Sequence, residues 1–260
     1  MNYHVIFFIT LFVVVVIVIG IIVFRKSKFT SELRDESLPG HPSGDGHGRV
    51  HRGRLWTLQD NPNPFKSVWS TENKECVMRT LRDGMRILGS HDIKMVAVFG
   101  TLIGVLRHKG IIPWDDDLDF AIRRDQKELL FSLKEELADA NIGLVSTGYG
   151  DWAKLYPLNR PLIDNRDHTW SWPFIDIFYY DEEGEDIALS DGNKISKSDF
   201  LPLKKGVFEG ISVHIPNNVD KILVDNYGKD WKDVCVSSDY NHRLERKQVG
   251  GHRARCVDVM

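Results

Sequence analysis

The hydrophobic residues follow two patterns: an uninterrupted apolar run near the N-terminus, and a periodic pattern over residues 64–260 that is typical of a folded domain, called the body below. Residues 5–24 carry no charge, and a helix of this length rises about 30 Å, which matches the hydrocarbon core of a bilayer. The run is longer than the apolar core of a signal peptide, and it ends at Phe24-Arg25 without a small-residue cleavage site. We therefore expect an uncleaved, single-pass transmembrane signal anchor over residues 5–24.

Residues 25–63 show no apolar periodicity. The segment 38–48 is rich in glycine and proline, a composition typical of a flexible stem. Its histidines are irregularly spaced, which favours a solvated linker over a metal site. Residues 64–260 then remain for one domain, a length that can bury a sizeable core.

Within residues 64–260 the hydrophobic period alternates between that of a helix and that of a strand. The predicted helices are 71–90 with Thr71 as its cap, 101–108, 125–140 with Leu129, Leu133 and Leu137 on its apolar face, and a helix containing Val219 that ends at Gly228. The predicted strands are 94–99, 117–122, 142–147, 153–156 and 174–180. Because these elements do not follow a strict βαβ rhythm, the predicted fold class is mixed α/β (α+β), with a mixed sheet flanked by helices.

Composition and cysteine spacing exclude some classes of function. Apolar residues make up 42% of the chain and charged residues 27%, and the net charge of −3 argues against non-specific binding of nucleic acid. The cysteines Cys76, Cys235 and Cys256 lie far apart without a CxxC pair, so neither a cysteine zinc site nor a dense disulfide framework is expected. One disulfide with one free thiol, or three free thiols, both remain open.

Carboxylates are crowded at Asp115-Asp116-Asp117-Leu118-Asp119. Side chains two apart in a strand share a face, so Asp115, Asp117 and Asp119 can point together while Leu118, Phe120 and Ile122 enter the core. The alternative is a solvated acidic turn, which is the common fate of charge runs. Pro113-Trp114 restricts the backbone that leads to the acids, and acidic and apolar residues then alternate over 117–122. Both features favour a site for Mg²⁺ or Mn²⁺, which prefer oxygen ligands.

Two further elements could complete such a site. Phe99-Gly100-Thr101-Leu102-Ile103-Gly104 predicts a strand that ends in glycine and opens a helix, a place where backbone N–H groups can accept phosphate. Asp176 lies alone in an apolar strand, where its burial requires a partner, either a metal ion or a neighbouring loop. We favour the metal ion.

The segment from Phe99 to Ile122, including Gly-Thr-Leu-Ile-Gly and Trp-Asp-Asp-Asp-Leu-Asp, resembles the signature of the LicD family. This family includes bacterial phosphocholine transferases and the animal proteins fukutin and fukutin-related protein. The resemblance continues, in the right order, through Asp151–Tyr156, Phe174–Phe178, Phe208–Pro216 and Tyr227–Trp231. It covers roughly residues 72–233.

The resemblance implies a nucleotidyltransferase-like fold and a metal-dependent transferase. The activity it implies is transfer of phosphocholine from CDP-choline, or of ribitol phosphate from CDP-ribitol, to a glycan hydroxyl. Asp116 receives no role, and a carboxylate such as Asp115 or Asp176 is expected to accept the hydroxyl proton. The other implied roles are metal ligands at Asp117, Asp119 and Asp176, catalysis by these three with Asp115, and donor binding at Gly100, Thr101, Gly104, Arg107 and Lys154.

Three alternatives to this function differ in class. A glycosyltransferase of the D-x-D type would use a nucleotide sugar, and an inactive membrane-tethered binding protein would keep the fold without catalysis. A prenyl-diphosphate enzyme would need the acids on a helix, which Pro113 and the alternation oppose. The stem and the resemblance predict a body in the Golgi or ER lumen, whereas Arg25, Lys26 and Lys28 after the anchor favour the cytoplasm.

Overall fold

A computed structural model describes residues 63–147, 151–163, 168–248 and 250–260. The predicted anchor at 5–24 and nearly all of the predicted stem lie outside these ranges, so both stay predictions. Among the helices of the described ranges, none combines the length and the apolar character that crossing a bilayer requires.

The helical elements are few and short apart from the first. They are α1 (Thr71–Ser90), α2 (Phe99–Ile103), a π-helical turn (Gly104–His108), a 3₁₀ turn (Arg124–Gln126), α3 (Lys127–Ser132), α4 (Lys134–Asp139), α5 (Lys197–Phe200), α6 (Val219–Tyr227) and a second 3₁₀ turn (Cys256–Asp258).

Strands make up most of the remaining regular structure. They are β1 (Val96–Ala97), β2 (Leu118–Arg123), β3 (Ile142–Ser146), β4 (Trp152–Pro157), β5 (Ile175–Glu183), β6 (Asp186–Leu189), β7 (Lys194–Ser196), β8 (Lys204–Phe208), β9 (Ile211–Ile215), β10 (Val234–Val236), β11 (Tyr240–Asn241), β12 (Arg246–Lys247) and β13 (Arg253–Arg255).

One mixed sheet organises the described residues. Its strand order is β3-β4-β5-β2-β1-β9-β8, and β6 extends it by pairing with β5 and β7. The neighbours β2 and β5 run parallel, as do β1 and β9, whereas the other pairs are antiparallel. The predicted class of a mixed sheet flanked by helices is therefore confirmed.

The centre of the sheet forms the core because its strands are apolar on both faces. Phe120 in β2 and Ile177 and Tyr179 in β5 are fully buried, and α1 packs Leu81 and Leu88 into the same cluster. Strands buried on both faces are continuous hydrophobic runs rather than alternating ones. A carboxylate on such a strand is therefore an exception that needs a chemical reason.

Several predicted boundaries were wrong by a few residues. Ser70 caps α1, because its hydroxyl accepts the N–H of Asn73 at 3.2 Å, so Thr71 is the first helical residue rather than the cap. Strand β2 begins at Leu118, since the preceding acids, residues 115–117, lie in an irregular segment after the turn at Pro113 and Trp114; this segment is called the acidic turn below. Strand β1 ends early because Phe99, with a φ of 43°, already opens α2.

The predicted helix over residues 125–140 is also corrected. It consists of a 3₁₀ turn, α3 and α4, with an interruption at Leu133. The buried leucines are Leu130, Leu133 and Leu137, whereas Leu129 is 39% exposed. Their spacing of three and four residues defines the apolar face, and Leu129 falls outside it.

The C-terminal segment forms two small sheets beside the main one. Strands β10 and β13 pair with each other, and β11 pairs with β12 to make a hairpin over residues 240–247. Cys235 and Cys256 form a disulfide, while Cys76 is a free, half-buried thiol. Of the two cysteine arrangements left open by the sequence, the structure has one disulfide and one free thiol.

Candidate metal centre

The carboxylates meet where the parallel pair β2 and β5 begins. The register of this pair sets Asp119 directly beside Asp176, and Asp117 lies one residue before β2. Asp117, Asp119 and Asp176 each offer an oxygen, and these oxygens lie within 4.8 Å of one another. The three acids predicted from two separate strands therefore form one cluster that could hold a metal ion.

The turn between β1 and α2 fits closely around the acids. A side chain on Gly100 would collide with a carboxylate oxygen of Asp115, so glycine is required for this approach. Thr101 is buried, and its hydroxyl accepts the backbone N–H of Asp119 at 2.7 Å. The predicted phosphate turn thus positions two of the acids, a role that the sequence did not reveal for Thr101.

Burial and mutual repulsion disfavour the charged form of these carboxylates. Burial, together with the charges of Asp117 and Asp116, raises the pKa of Asp115 to about 8. Burial likewise raises the pKa of Asp117 to about 6, against the lowering influence of His242. The pKa of Asp119 is raised well above its usual range by burial and by the neighbouring acids. A divalent cation would relieve this repulsion, so the residues fit such an ion.

Lys154 is the cation closest to the third carboxylate. It lies on β4 opposite Asp176, and its Nζ is 2.7 Å from an oxygen of that residue and 3.5 Å from the centroid of the Phe174 ring. Both partners of this ion pair are almost completely buried. Burial raises the pKa of Asp176 and Lys154 lowers it. Lys154 therefore provides part of the compensation that burial of Asp176 demands.

Asp116 joins the C-terminal hairpin to the acid cluster. One of its carboxylate oxygens accepts the backbone N–H groups of His242 at 2.9 Å and of Arg243 at 3.3 Å, and the other contacts His242 Nδ1 at 2.8 Å. The second ring nitrogen of His242 lies 3.4 Å from Asp117. Burial lowers the pKa of His242, but Asp117 and Asp116 outweigh it and raise that pKa well above its usual range.

A second contact fastens the same hairpin near Lys154. Glu245 accepts the indole N–H of Trp170 at 2.8 Å and the hydroxyl of Tyr240 at 3.1 Å. One oxygen of Glu245 lies 3.8 Å from Lys154 Nζ. The hairpin is therefore attached at two points, through Asp116 and through Glu245 near Lys154.

Two indole rings support the acidic turn from outside. Trp69 donates its N–H to the carbonyl oxygen of Asp115, and Trp172 donates to that of Asp116, both at 2.6 Å. The two rings stack with their centroids 5.3 Å apart. These contacts fix the backbone of the turn, on which the geometry of the carboxylates depends.

Two of the predicted donor-binding residues have structural contacts of their own. The guanidinium of Arg107 donates to the carbonyl oxygens of Trp231 at 2.7 Å and Val234 at 3.3 Å, and burial lowers the pKa of Arg107 to about 10. A side chain on Gly104 would lie 2.5 Å from the carbonyl oxygen of Gly110, so Gly104 allows two backbone segments to touch. Donor binding by Gly100, Thr101, Gly104, Arg107 and Lys154 stays a prediction.

The residues that sequence reasoning missed are Asp116, His242 and Glu245. Asp116 stood within the predicted motif, yet nothing local distinguished it from its neighbours. His242 contacts Asp116 across 126 residues of sequence, in a segment without clear hydrophobic periodicity. The only indication of these contacts in the sequence was the presence of a histidine and a glutamate in a polar C-terminal segment.

The comparison with known families agrees with this geometry. Residues 92–218 match the family described as "LicD/FKTN/FKRP, nucleotidyltransferase domain". The match includes α2, β2 and β5, and therefore all the clustered carboxylates, but it ends before the C-terminal hairpin. Over residues 92–218 the chain therefore carries a nucleotidyltransferase domain of the LicD family.

Curated relatives share shorter segments. The chain is 35% identical over 88 residues to the lipopolysaccharide cholinephosphotransferase LicD of Haemophilus influenzae, an alignment covering 32% of this chain and 33% of that protein. It is 43% identical over 78 residues to an uncharacterised protein of Rickettsia typhi, covering 30% of this chain and 25% of that one. An uncharacterised protein of Rickettsia prowazekii is 43% identical over 47 residues, 18% of each chain. The chain thus spans a third or less of the curated relatives it matches.

Proposed function

We propose that this protein is a metal-dependent transferase that moves a phosphate-linked group from a CDP-activated donor to a glycan hydroxyl. The observation that carries the proposal is the meeting of Asp117, Asp119 and Asp176 at the start of β2 and β5. The family match and the name of the Haemophilus relative support the same class of reaction. Phosphocholine and ribitol phosphate are the groups that we propose for transfer.

The three clustered carboxylates would hold Mg²⁺ or Mn²⁺, whose oxygen preference they satisfy. When bound, the ion would neutralise negative charge on the donor phosphates and on the departing nucleotide. The residues around it hold the carboxylates in place: Thr101 through the backbone of Asp119, and Lys154 through Asp176. Catalysis of this kind depends mainly on such positioning and on preorganised charge.

We assign the acceptance of the hydroxyl proton to Asp115. Asp176, the other candidate, is almost completely buried and already paired with Lys154. Asp115 is half-buried, and one of its carboxylate oxygens lies against Gly100. A general base must lie within hydrogen-bonding reach of the acceptor hydroxyl, and Asp115 is the more accessible of the two.

The test uses the full chain purified in detergent. It is incubated with Mn²⁺ and, in parallel, with labelled CDP-choline, CDP-ribitol and a panel of UDP-sugars, each with glycan acceptors. Transfer from a CDP donor supports the proposal, whereas transfer from a UDP-sugar alone would favour the D-x-D glycosyltransferase. Calorimetric titration with Mn²⁺ completes the test, because a wild type that binds no ion would favour the inactive binding protein.

The variants D115N and D119N separate the two proposed roles. In D119N both Mn²⁺ affinity and turnover should fall, because a ligand is lost. In D115N turnover should fall while Mn²⁺ affinity changes little, because the residue takes the proton and does not hold the ion. Equal loss of Mn²⁺ affinity in both variants would remove Asp115 from the role of base.

We also propose that residues 5–24 anchor the chain, that residues 25–63 form the stem, and that the body from residue 64 lies in the Golgi or ER lumen. The disulfide between Cys235 and Cys256 supports a luminal body, because such bonds persist in oxidising compartments. The basic residues after the anchor favour the opposite orientation. A protease-protection assay on intact microsomes tests this, and digestion of the body without detergent would overturn it.

A further inference from the structure

The two cations predicted to meet the donor phosphates have other partners in the fold. Lys154 is almost completely buried and paired with Asp176, and the guanidinium of Arg107 donates to the carbonyl oxygens of Trp231 and Val234. A donor that brings a diphosphate to this acidic site nevertheless needs positive charge from the protein as well as from an ion. The C-terminal hairpin carries a further guanidinium, that of Arg243, whose backbone is bonded to Asp116.

Arg243 lies on this hairpin immediately after His242. Its backbone N–H donates to Asp116, so the base of the side chain is fixed to the acidic turn. Its guanidinium carbon lies 4.8 Å from the centroid of the Trp172 ring, a distance typical of a cation–π contact. The side chain is exposed, and it forms no ion pair with any residue in the described ranges.

The support beneath Arg243 is itself attached to the site. Trp172 donates its indole N–H to the carbonyl oxygen of Asp116, and it stacks on Trp69, which is bonded to Asp115 in the same way. The guanidinium is therefore held over the ring of Trp172, which is bonded to the acidic turn, rather than extending freely into solvent. Planar guanidinium groups stack on aromatic rings and still offer N–H donors at their edges to phosphate oxygens.

We infer that Arg243 binds the anionic diphosphate of the donor nucleotide. This inference rests on the proposed function, and it assigns a donor-binding role to a residue outside the segment that matches the family. The hairpin thereby contributes to substrate binding through Arg243, and His242 and Asp116 set its position. The ligand class is a nucleoside diphosphate, recognised through its phosphate oxygens.

The test measures binding of cytidine diphosphate and of inorganic pyrophosphate to the full chain in detergent with Mn²⁺, by calorimetry. In R243Q both affinities should fall about ten- to hundredfold, the range expected when a charge-assisted contact is lost. R243K keeps the positive charge without the planar guanidinium, so its affinity for both ligands should fall less than that of R243Q. The matched control is R246Q, which removes an exposed arginine from the same hairpin and should bind like the wild type.

The outcomes separate the two levels of the proposal. Wild-type affinity for both ligands in R243Q, with the wild type active on a CDP donor, would overturn the role of Arg243 and leave the proposed function standing. A wild type that binds Mn²⁺ but neither cytidine diphosphate nor pyrophosphate would overturn the donor class together with the role of Arg243. Equal losses in R243Q and R246Q would also overturn the specific role, because they would indicate a general effect of positive charge.

Discussion

The strands that carry the metal-binding acids and the hairpin that contacts them are held in different ways. Strands β2 and β5 pair along six residues each in the middle of the main sheet, so the backbone fixes Asp119 beside Asp176. The hairpin of residues 240–247 has two pairs of its own, and it reaches the site through Asp116 and Glu245. Backbone pairing therefore fixes the acids, whereas single side chains fix the hairpin.

This difference separates residues that serve catalysis from residues that hold the hairpin in place. A substitution of Asp119 should remove activity and leave the fold, because the pairing of β2 with β5 is made by the backbone and does not depend on that side chain. A substitution at the attachment of the hairpin should cost stability and only part of the activity. The predictions below test this division, beginning with the largest expected effect.

Asp119→Asn should reduce turnover more than about a thousandfold, because a charge that would hold the ion is lost and charge stabilisation by a metal is worth several kcal/mol. The melting temperature should not fall, because a partly buried carboxylate that is repelled by its acidic neighbours becomes neutral. Steady-state turnover and thermal unfolding measure the two effects. Asp125→Asn, which removes an exposed carboxylate paired with Arg123, is the control and should change neither by much.

Gly100→Ala should reduce turnover about a hundredfold, because the new methyl group displaces the carboxylate of Asp115 and small misplacements near the chemistry have effects of this size. Gly89→Ala is the matched control: nothing lies within 4 Å of the added atom, and this helix should gain about 0.5–1 kcal/mol. Turnover and urea unfolding check both variants. Full turnover in Gly100→Ala would show that catalysis does not depend on the position of the Asp115 carboxylate.

Asp116→Asn should lower the free energy of unfolding by about 1–3 kcal/mol, because the amide cannot accept all the hydrogen bonds that the hairpin donates to the carboxylate. Turnover should fall about tenfold, as is typical when residues behind metal ligands change. Urea unfolding with parallel kinetics measures this. A loss as large as that of Asp119→Asn, without loss of stability, would contradict the division between the two regions.

Thr101→Val should weaken binding of Mn²⁺ about fivefold, which corresponds to ~1 kcal/mol for the lost acceptor of the Asp119 N–H. The substitution keeps the shape of the side chain and replaces its hydroxyl with a methyl group of similar size. Calorimetric titration measures the affinity, and Thr101→Ser, which retains the acceptor, is the control. Equal weakening in both variants would point to packing rather than to the hydrogen bond.

The two regions also differ in how far the sequence predicted them. Asp117 and Asp119 could be found because acidic and apolar residues alternate with a period of two, and Asp176 because a lone acid in an apolar strand requires a partner. Their meeting follows from a parallel pairing between strands far apart in sequence, which no local pattern specifies. The family resemblance predicted that these acids meet, and the register that sets Asp119 beside Asp176 is the physical reason why they do.

The contacts of the hairpin could not be predicted in the same way. Its strands are two residues long, and its attachment depends on one carboxylate 126 residues away. Arg107 and Lys154 show the same limit, because their charge was evident from the sequence but the partners that they contact were not. Where side chains meet across long separations, only the folded chain specifies the pair.

The two indole rings bonded to the acidic turn have a practical consequence. The emission of tryptophan depends on the electric field across its ring, and Trp69 and Trp172 each donate a hydrogen bond to the backbone of an acid beside the proposed ion. The protein therefore has an intrinsic optical probe next to its candidate centre. Comparing spectra of the wild type and of Trp69→Phe during cation titration would isolate this signal from the remaining tryptophans.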